Sequence, residues 1–158
     1  VANRDFESRL RWCVAGKYED ANHKPVIAIP GGLEKTVKSG ETVTLNADIT
    51  EPDSLDIDGI WAKYSALYEQ LGFNKESFVE IAPQRYPKYN AYWWQYKEAG
   101  TYNGYIDIVA VDSGKSTFVA PKVDKPETLH LILEVTDTGI PALTTFARVI
   151  VTIFPTDK

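Results

Sequence analysis

The chain has 158 residues, 44% of them hydrophobic, which is the size of one ordinary domain with enough apolar material for a core. Its 17 Lys and Arg against 22 Asp and Glu leave a net charge of −5 with no basic block, which excludes the electrostatic footprint of a nucleic-acid binder. No apolar run reaches the roughly 20 residues that span a bilayer, and the single cysteine, Cys13, excludes an internal disulfide and a cysteine-based metal site.

In chain order, "NRDFESRLRWCV" (3–14) predicts an amphipathic helix: Asn3 is placed to cap it, and Phe6, Leu10, Cys13 and Val14 fall at i, i+4, i+7 and i+8. On that stripe Cys13 reads as small apolar filler rather than a reactive thiol. "KYEDANHKP" breaks the pattern, and Pro25 marks a connector with its boundary near Asn22. The chain contains no Met and begins "VANRDF" without the charged-then-apolar pattern of a signal peptide. It is therefore expected to be an excised piece of a longer protein, with any targeting signal upstream.

From Pro25 onward the texture is β. "PVIAI" (25–29) is a short strand, and after the Gly31-Gly32 turn the Ser39-Gly40 pair separates two further runs. In the second, Val43, Leu45 and Ala47 alternate with Thr42, Thr44 and Asn46, as in a half-buried strand. The residues at about 50–89 read as an insertion with one helix, "DGIWAKYSALYEQLG": Asp58 caps it, Ile60, Tyr64, Leu67, Tyr68 and Leu71 form its stripe, and Gly72 ends it. Strands are then expected at "YNAYWWQY", "YIDIVAV" and "STFVA". "ETLHLILEVTD" alternates Leu129, Leu131, Leu133 and Val135 against His130, Ile132, Glu134 and Thr136. "TTFARVIVTIF" does the same with Ala147, Val149, Val151 and Ile153, and Gly139 and Pro141 supply the turn between them. About seven or eight short strands predict an all-β sandwich.

"RDFESRLRWCV", "YEDANHKPV", "KSGETVTLNA", "WWQYKEAGTY", "STFVAP" and "ETLHLILEVTDTGIPALTTFARVIVTI", in that order, resemble the C-terminal part of a bacterial cellulose-binding protein family. Members of that family look like a nucleoside-hydrolase-like domain followed by an immunoglobulin-like β-sandwich. The resemblance implies a mainly β fold, an immunoglobulin-like antiparallel β-sandwich over residues 22–158 with an N-terminal helix and a helical insertion. Residues 1–21 would be the helix and linker ending a missing upstream domain, which would be a partner in the same chain. It also implies an extracytoplasmic, periplasmic or secreted location. Similar proteins have a short Asp- and Gly-rich turn where this chain carries its insertion.

Catalytic chemistry finds little support in the sequence. His23 and His130 have no nucleophile motif or metal-ligand spacing nearby, and Gly31-Gly32 lacks the Gly-Lys-Ser/Thr ending of a phosphate loop. Glu98 beside the aromatic run has no second carboxylate at a defined distance. Asp48, Glu51, Asp53, Asp56 and Asp58 could offer oxygens to Ca²⁺, yet they miss the EF-hand spacing and suit helix capping as well. The expectation is no enzyme, no cofactor and no metal.

The aromatic run is the informative feature. By the resemblance Trp93 is the buried core tryptophan of the middle strand, which leaves Tyr92, Trp94 and Tyr96 in line on the other face, roughly 7 Å apart. That spacing suits successive sugars, whose C–H-rich faces pack on aromatic planes while hydroxyls meet polar rims. Tyr102 and Trp61 are further candidates for carbohydrate contact. The opposing expectation is that Trp61, Tyr64 and Tyr68 of the insertion helix cover the stripe as a second core. The sequence thus predicts a non-catalytic module for cellulose or a related β-glucan, or else a structural domain packing on a hydrolase-like partner without a ligand of its own.

Overall fold

Among the described residues, nine strands and three α-helices follow in the order α1 (Ala2–Val14), β1 (Val26–Ala28), β2 (Glu34–Lys38), β3 (Thr42–Asn46), β4 (Asp48–Thr50), α2 (Ile57–Gln70), α3 (Lys75–Arg85), β5 (Tyr89–Gln95), β6 (Val109–Ala110), β7 (Lys115–Val119), β8 (Glu127–Asp137) and β9 (Thr144–Phe154). These come from a computed structural model that describes residues 2–18, 21–53, 57–85 and 88–156. The fold is mainly β. One sheet orders its four strands β2-β9-β8-β5, a second has three in the order β3-β7-β6, and β1 pairs with β4 apart from both.

The alternation of β8 and β9 is what joins the layers. Leu129, Leu131, Leu133 and Val135 of β8 and Val149, Val151 and Ile153 of β9 all turn to one side, where they meet Val43, Leu45, Phe118 and Ala120 of the other sheet and Trp93 of β5. Those β8 and β9 residues are at most 1% exposed. The two strands form a long hairpin in register from Glu127↔Ile153 to Thr136↔Thr144, and β5 extends it from Tyr89↔Asp137 to Gln95↔Leu131. Trp93 anchors the layers directly, its indole Nε1 donating to the Gly114 carbonyl at 3.1 Å across the core. Gly114 is required there: a Cβ would stand 2.4 Å from the Ala47 carbonyl oxygen.

Three expectations change. The sheets are not wholly antiparallel, because β2 runs parallel to β9. "YIDIVAV" supplies only the two-residue β6. The insertion folds as a hairpin of two helices rather than one helix. The second, α3, starts at a reciprocal cap in which Ser77 N donates to Asn74 Oδ1 at 2.8 Å and Asn74 N to Ser77 Oγ at 3.1 Å. Its core is private: Tyr68 and Phe78 are buried together, with Ile57, Ile60, Trp61 and Phe73 around them.

For α1 the sequence leaves open whether the stripe packs on this domain or on one upstream. That apolar stripe faces solvent, with Phe6 64%, Leu10 54% and Val14 84% exposed, and the polar side docks instead. Ser8, which is buried, and the more exposed Trp12 both donate to the Asn22 carbonyl, at 3.3 and 2.8 Å, and Asp5 pairs with Lys24. Asn22 is in turn held by its Nδ2 donating to Asp137 and to the Pro141 carbonyl, each at 2.9 Å. Gly139 leaves the room for it, since a Cβ there would fall 2.0 Å from Asn22 Oδ1.

Two separate cores predict two separate responses. Leu133→Ala should destabilise the whole chain by about 2–5 kcal/mol in urea unfolding. Phe78→Ala should speed hydrogen exchange in α2 and α3 while β8 and β9 keep their protection; loss of protection throughout would contradict the division.

Candidate aromatic surface on the outer face of the larger sheet

The register that turns Trp93 inward turns its neighbours outward. On the outer face Tyr92 lies opposite Glu134, and Trp94 opposite Ile132. On β9, Phe146 lies opposite Glu134 and Arg148 opposite Ile132. The face therefore carries two cross-strand rows, Tyr92–Glu134–Phe146 and Trp94–Ile132–Arg148. A third begins at Tyr96, whose backbone N–H donates to the His130 carbonyl at 2.8 Å, and continues through Ile150 to Glu34.

Tyr92 is 53% and Tyr96 40% exposed, while Trp94 is half-buried. Trp94 and Tyr96 touch edge to face, their centroids 5.9 Å apart and planes at 62°. Ile132, apolar on an outward face, is only 8% exposed, so the side chains flanking it cover it. The indole Nε1 of Trp94 and the Nδ1 of His130 are buried and find no hydrogen-bond partner among the described residues. Burial, and then the charge of Arg148, push the His130 imidazole below the usual histidine range. A hydrogen bond to Glu134, with burial and the carboxylate charge adding to it, raises the Tyr92 phenol. Arg148 makes no ion pair among the described residues and remains available to an incoming oxygen.

The other two candidate residues lie elsewhere. Trp61 belongs to the private core of the helical hairpin, 5.3 Å from the Phe78 ring and 6.3 Å from Tyr68. Of the three rings expected to cover the stripe, Trp61 and Tyr68 are engaged with one another, Tyr68 being buried between Phe73 and Phe78, and Tyr64 is 40% exposed. Tyr102 packs against the main core with its ring against Gly104. Nearby, Gln95 ties down that loop, donating to the Gly104 carbonyl at 3.0 Å and accepting from Ile106 N at 3.2 Å. Glu134, Arg148 and Phe146 were missed in the sequence as site residues. Their signal was the outward phase of β8 and β9, which becomes informative only once β5 is known to pair with β8.

The acidic run disperses. Asp53 accepts from the backbone of His23 and binds its Nδ1 at 2.9 Å, Asp58 pairs with Lys75 at 2.8 Å, and Asp48 is exposed on β4. Asp56 lies outside the described residues. Glu51 accepts from Asp53 N at 3.1 Å; burial raises its carboxyl, and the Asp137 and Asp53 charges add to that. Among the described residues no cluster of three or more His, Cys, Asp or Glu is placed to hold a metal.

Residues 87–153, which hold β5, β8 and all but the last residue of β9, match the family described as cellulose-binding protein Sde0182, C-terminal domain. Among solved structures, a nucleoside hydrolase-related hypothetical protein from Saccharophagus degradans, described as associated with carbohydrate metabolism, superposes with a TM-score of 0.70 at 22% identity. The alignment covers 96% of this chain and 31% of that one, so the chain spans under a third of that protein, and the likeness is one of fold. A 2,6-sialyltransferase from Photobacterium sp. aligns over 78% of this chain and 17% of its own at 13% identity, with a TM-score of 0.39. No curated protein matches.

The His130 environment sets a sign for pH. With the folded value below the ordinary one near 6.5, the unfolded chain binds more protons as pH falls through that range, so stability is full above it and declines below. Urea unfolding at pH 7.5 and 5.5 should show a larger acid loss for the wild type than for His130→Gln. The raised carboxyl of Glu51 works in the opposite direction but is common to both proteins. Equal losses would contradict the assignment.

Proposed function

We propose that this chain is a non-catalytic carbohydrate-binding module that takes cellulose or a related β-glucan on the outer face of β5. The observation carrying this reading is the row Tyr92, Trp94 and Tyr96, two of its rings 40% exposed or more, on an outward sheet face. Soluble proteins seldom keep apolar rings in line at the surface without a use. The chemistry of the face fits a sugar chain: rings for C–H faces, with Glu134, Arg148 and the Tyr92 hydroxyl for hydroxyl groups. The family name matched by residues 87–153 points the same way. In this reading the layers are an immunoglobulin-like sandwich, the protein works outside the cytoplasm, and it needs neither cofactor nor metal.

A second reading is favoured by one observation of its own. The exposed stripe of Phe6, Leu10 and Val14 on α1 is an apolar face with no partner in this chain among the described residues. It suits docking against a hydrolase-like domain, as the nucleoside hydrolase-related description of the structural neighbour suggests. The two readings use opposite parts of the molecule and are compatible.

Depletion by amorphous cellulose tests the first. The purified chain should leave solution with the polymer, and Trp94→Ala should stay behind while keeping its far-ultraviolet dichroism. Thr44→Ala, on the outer face of the other sheet, should bind as wild type. Retention of Trp94→Ala on cellulose would move the site elsewhere. For the second reading, Leu10→Ser should change the stability of this chain by no more than about 0.5 kcal/mol but lower that of a longer protein carrying the hydrolase-like domain.

A further inference from the structure

Crystalline and dissolved forms of the same polymer ask for different surfaces. A crystalline glucan surface is a plane of parallel pyranose faces, and rings that bind it must lie in one plane. An isolated glucan chain in water twists, presenting successive sugars at an angle to one another, and it can also enter a recess that a crystal face bridges.

The face described above is not planar. Trp94 and Tyr96 are inclined at 62° and meet edge to face, so when one ring lies flat on a surface the other stands against it. Rotation of Trp94 is restricted: it is half-buried, its Nε1 is shielded from solvent, and the Ile132 side chain opposite it is covered. Two strands across the sheet, about 10 Å away, the exposed side chains of Phe146 and Arg148 rise from β9. Beyond them the sheet edge opens where β2 stops pairing at Ile150, leaving a recess of about 480 Å³ lined by Ile27, Leu33, Glu34, Phe146 and Arg148 among others. An inclined ring pair at one side and an apolar recess with a guanidinium at the other make a track with depth.

We propose that this face binds single, conformationally free β-glucan chains, running from the Trp94–Tyr96 pair across β8 toward the recess at the edge of β9, and does not bind crystalline glucan surfaces. Binding by this face rests on the carbohydrate-binding reading above. Stacking on Trp94 and Tyr96 holds two sugars at an angle to one another. Glu134 on β8, the strand between the two ends of the track, and Arg148 on the wall of the recess meet the hydroxyls of the sugars beyond the aromatic pair.

The test compares three forms of one polymer on the intact chain: cellohexaose by titration calorimetry, amorphous cellulose by depletion, and microcrystalline cellulose by depletion. Expected are binding of cellohexaose, depletion by amorphous cellulose that cellohexaose reverses, and at least about tenfold weaker depletion by the microcrystalline form. Tyr96→Ala, at a 40% exposed position that leaves Ile132 covered, should weaken cellohexaose binding up to about tenfold, the scale of one ring contact. Arg148→Gln should weaken it as well. Equal depletion by crystalline and amorphous cellulose, unaffected by cellohexaose, would overturn the single-chain proposal and leave the carbohydrate-binding reading standing. Binding to none of the three would overturn both.

Discussion

Antiparallel pairing of β5 on β8, with Trp93 opposite Leu133, is the constraint on which the rest depends. A strand has two faces and no intermediate choice, so a slip of one residue would put Tyr92 and Trp94 into the core and Trp93 into solvent. Two interactions hold the register. The Trp93 indole donates across the core to Gly114, and a tryptophan turned the other way would lose that acceptor. Leu131, Leu133 and Val135 allow only one phase for β8, and β5 follows it. The aromatic outer row is thus a consequence of how the core is closed.

Around this frame the chain arranges parts of different rigidity. The β8–β9 hairpin and its neighbours share one dense core, whereas α2 and α3 close on Tyr68 and Phe78 alone. The helical hairpin uses Trp61, Tyr68, Phe73 and Phe78 for its own core, and Tyr92 and Tyr96 on the outer face of β5 stay exposed. α1 is fixed differently again, by polar contacts through Asn22 and by His23, whose ring stacks on Tyr18 and Trp12 and binds Asp53. Apolar burial normally decides which side of a helix faces the protein. Here hydrogen bonds to one backbone carbonyl decide it, and the apolar side is left free for another surface.

The β-strands were legible in the sequence because alternation is a direct readout of which residues are buried. Val43 and Leu45 and the β8 and β9 runs could be read that way, and alternation also put Trp93 and Trp94 on opposite faces, while the resemblance implied which of the two is buried. Alternation does not specify which strands become neighbours, so the parallel pairing of β2 with β9 and the recruitment of Glu134, Ile132 and Arg148 beside the aromatic row were not visible. Periodicity marked the stripe of Phe6, Leu10 and Val14 on α1 but not the side that docks, since those contacts come from Ser8 and Trp12. The helix α3 went unseen, since "KESFVEIAPQR" contains a proline and few apolar residues. Asn74 three residues before Ser77 was the available sign of its start. Trp61 and Tyr102 were grouped with the surface rings by residue type alone, and packing separates them.

The account's central claim is that the outward rings of β5 are a sugar-binding surface, and the four tryptophans make it directly observable. In a ¹H–¹⁵N correlation spectrum each indole N–H gives its own signal. One belongs to Trp93, bonded to Gly114, one to Trp12, bonded to Asn22, one to Trp61 in the helical hairpin, and one to Trp94 on the outer face. Titration with cellohexaose should move the Trp94 signal progressively and leave those of Trp93 and Trp61 in place. Movement of Trp12 or Trp61 with Trp94 stationary would contradict the claim and place the ligand on another surface.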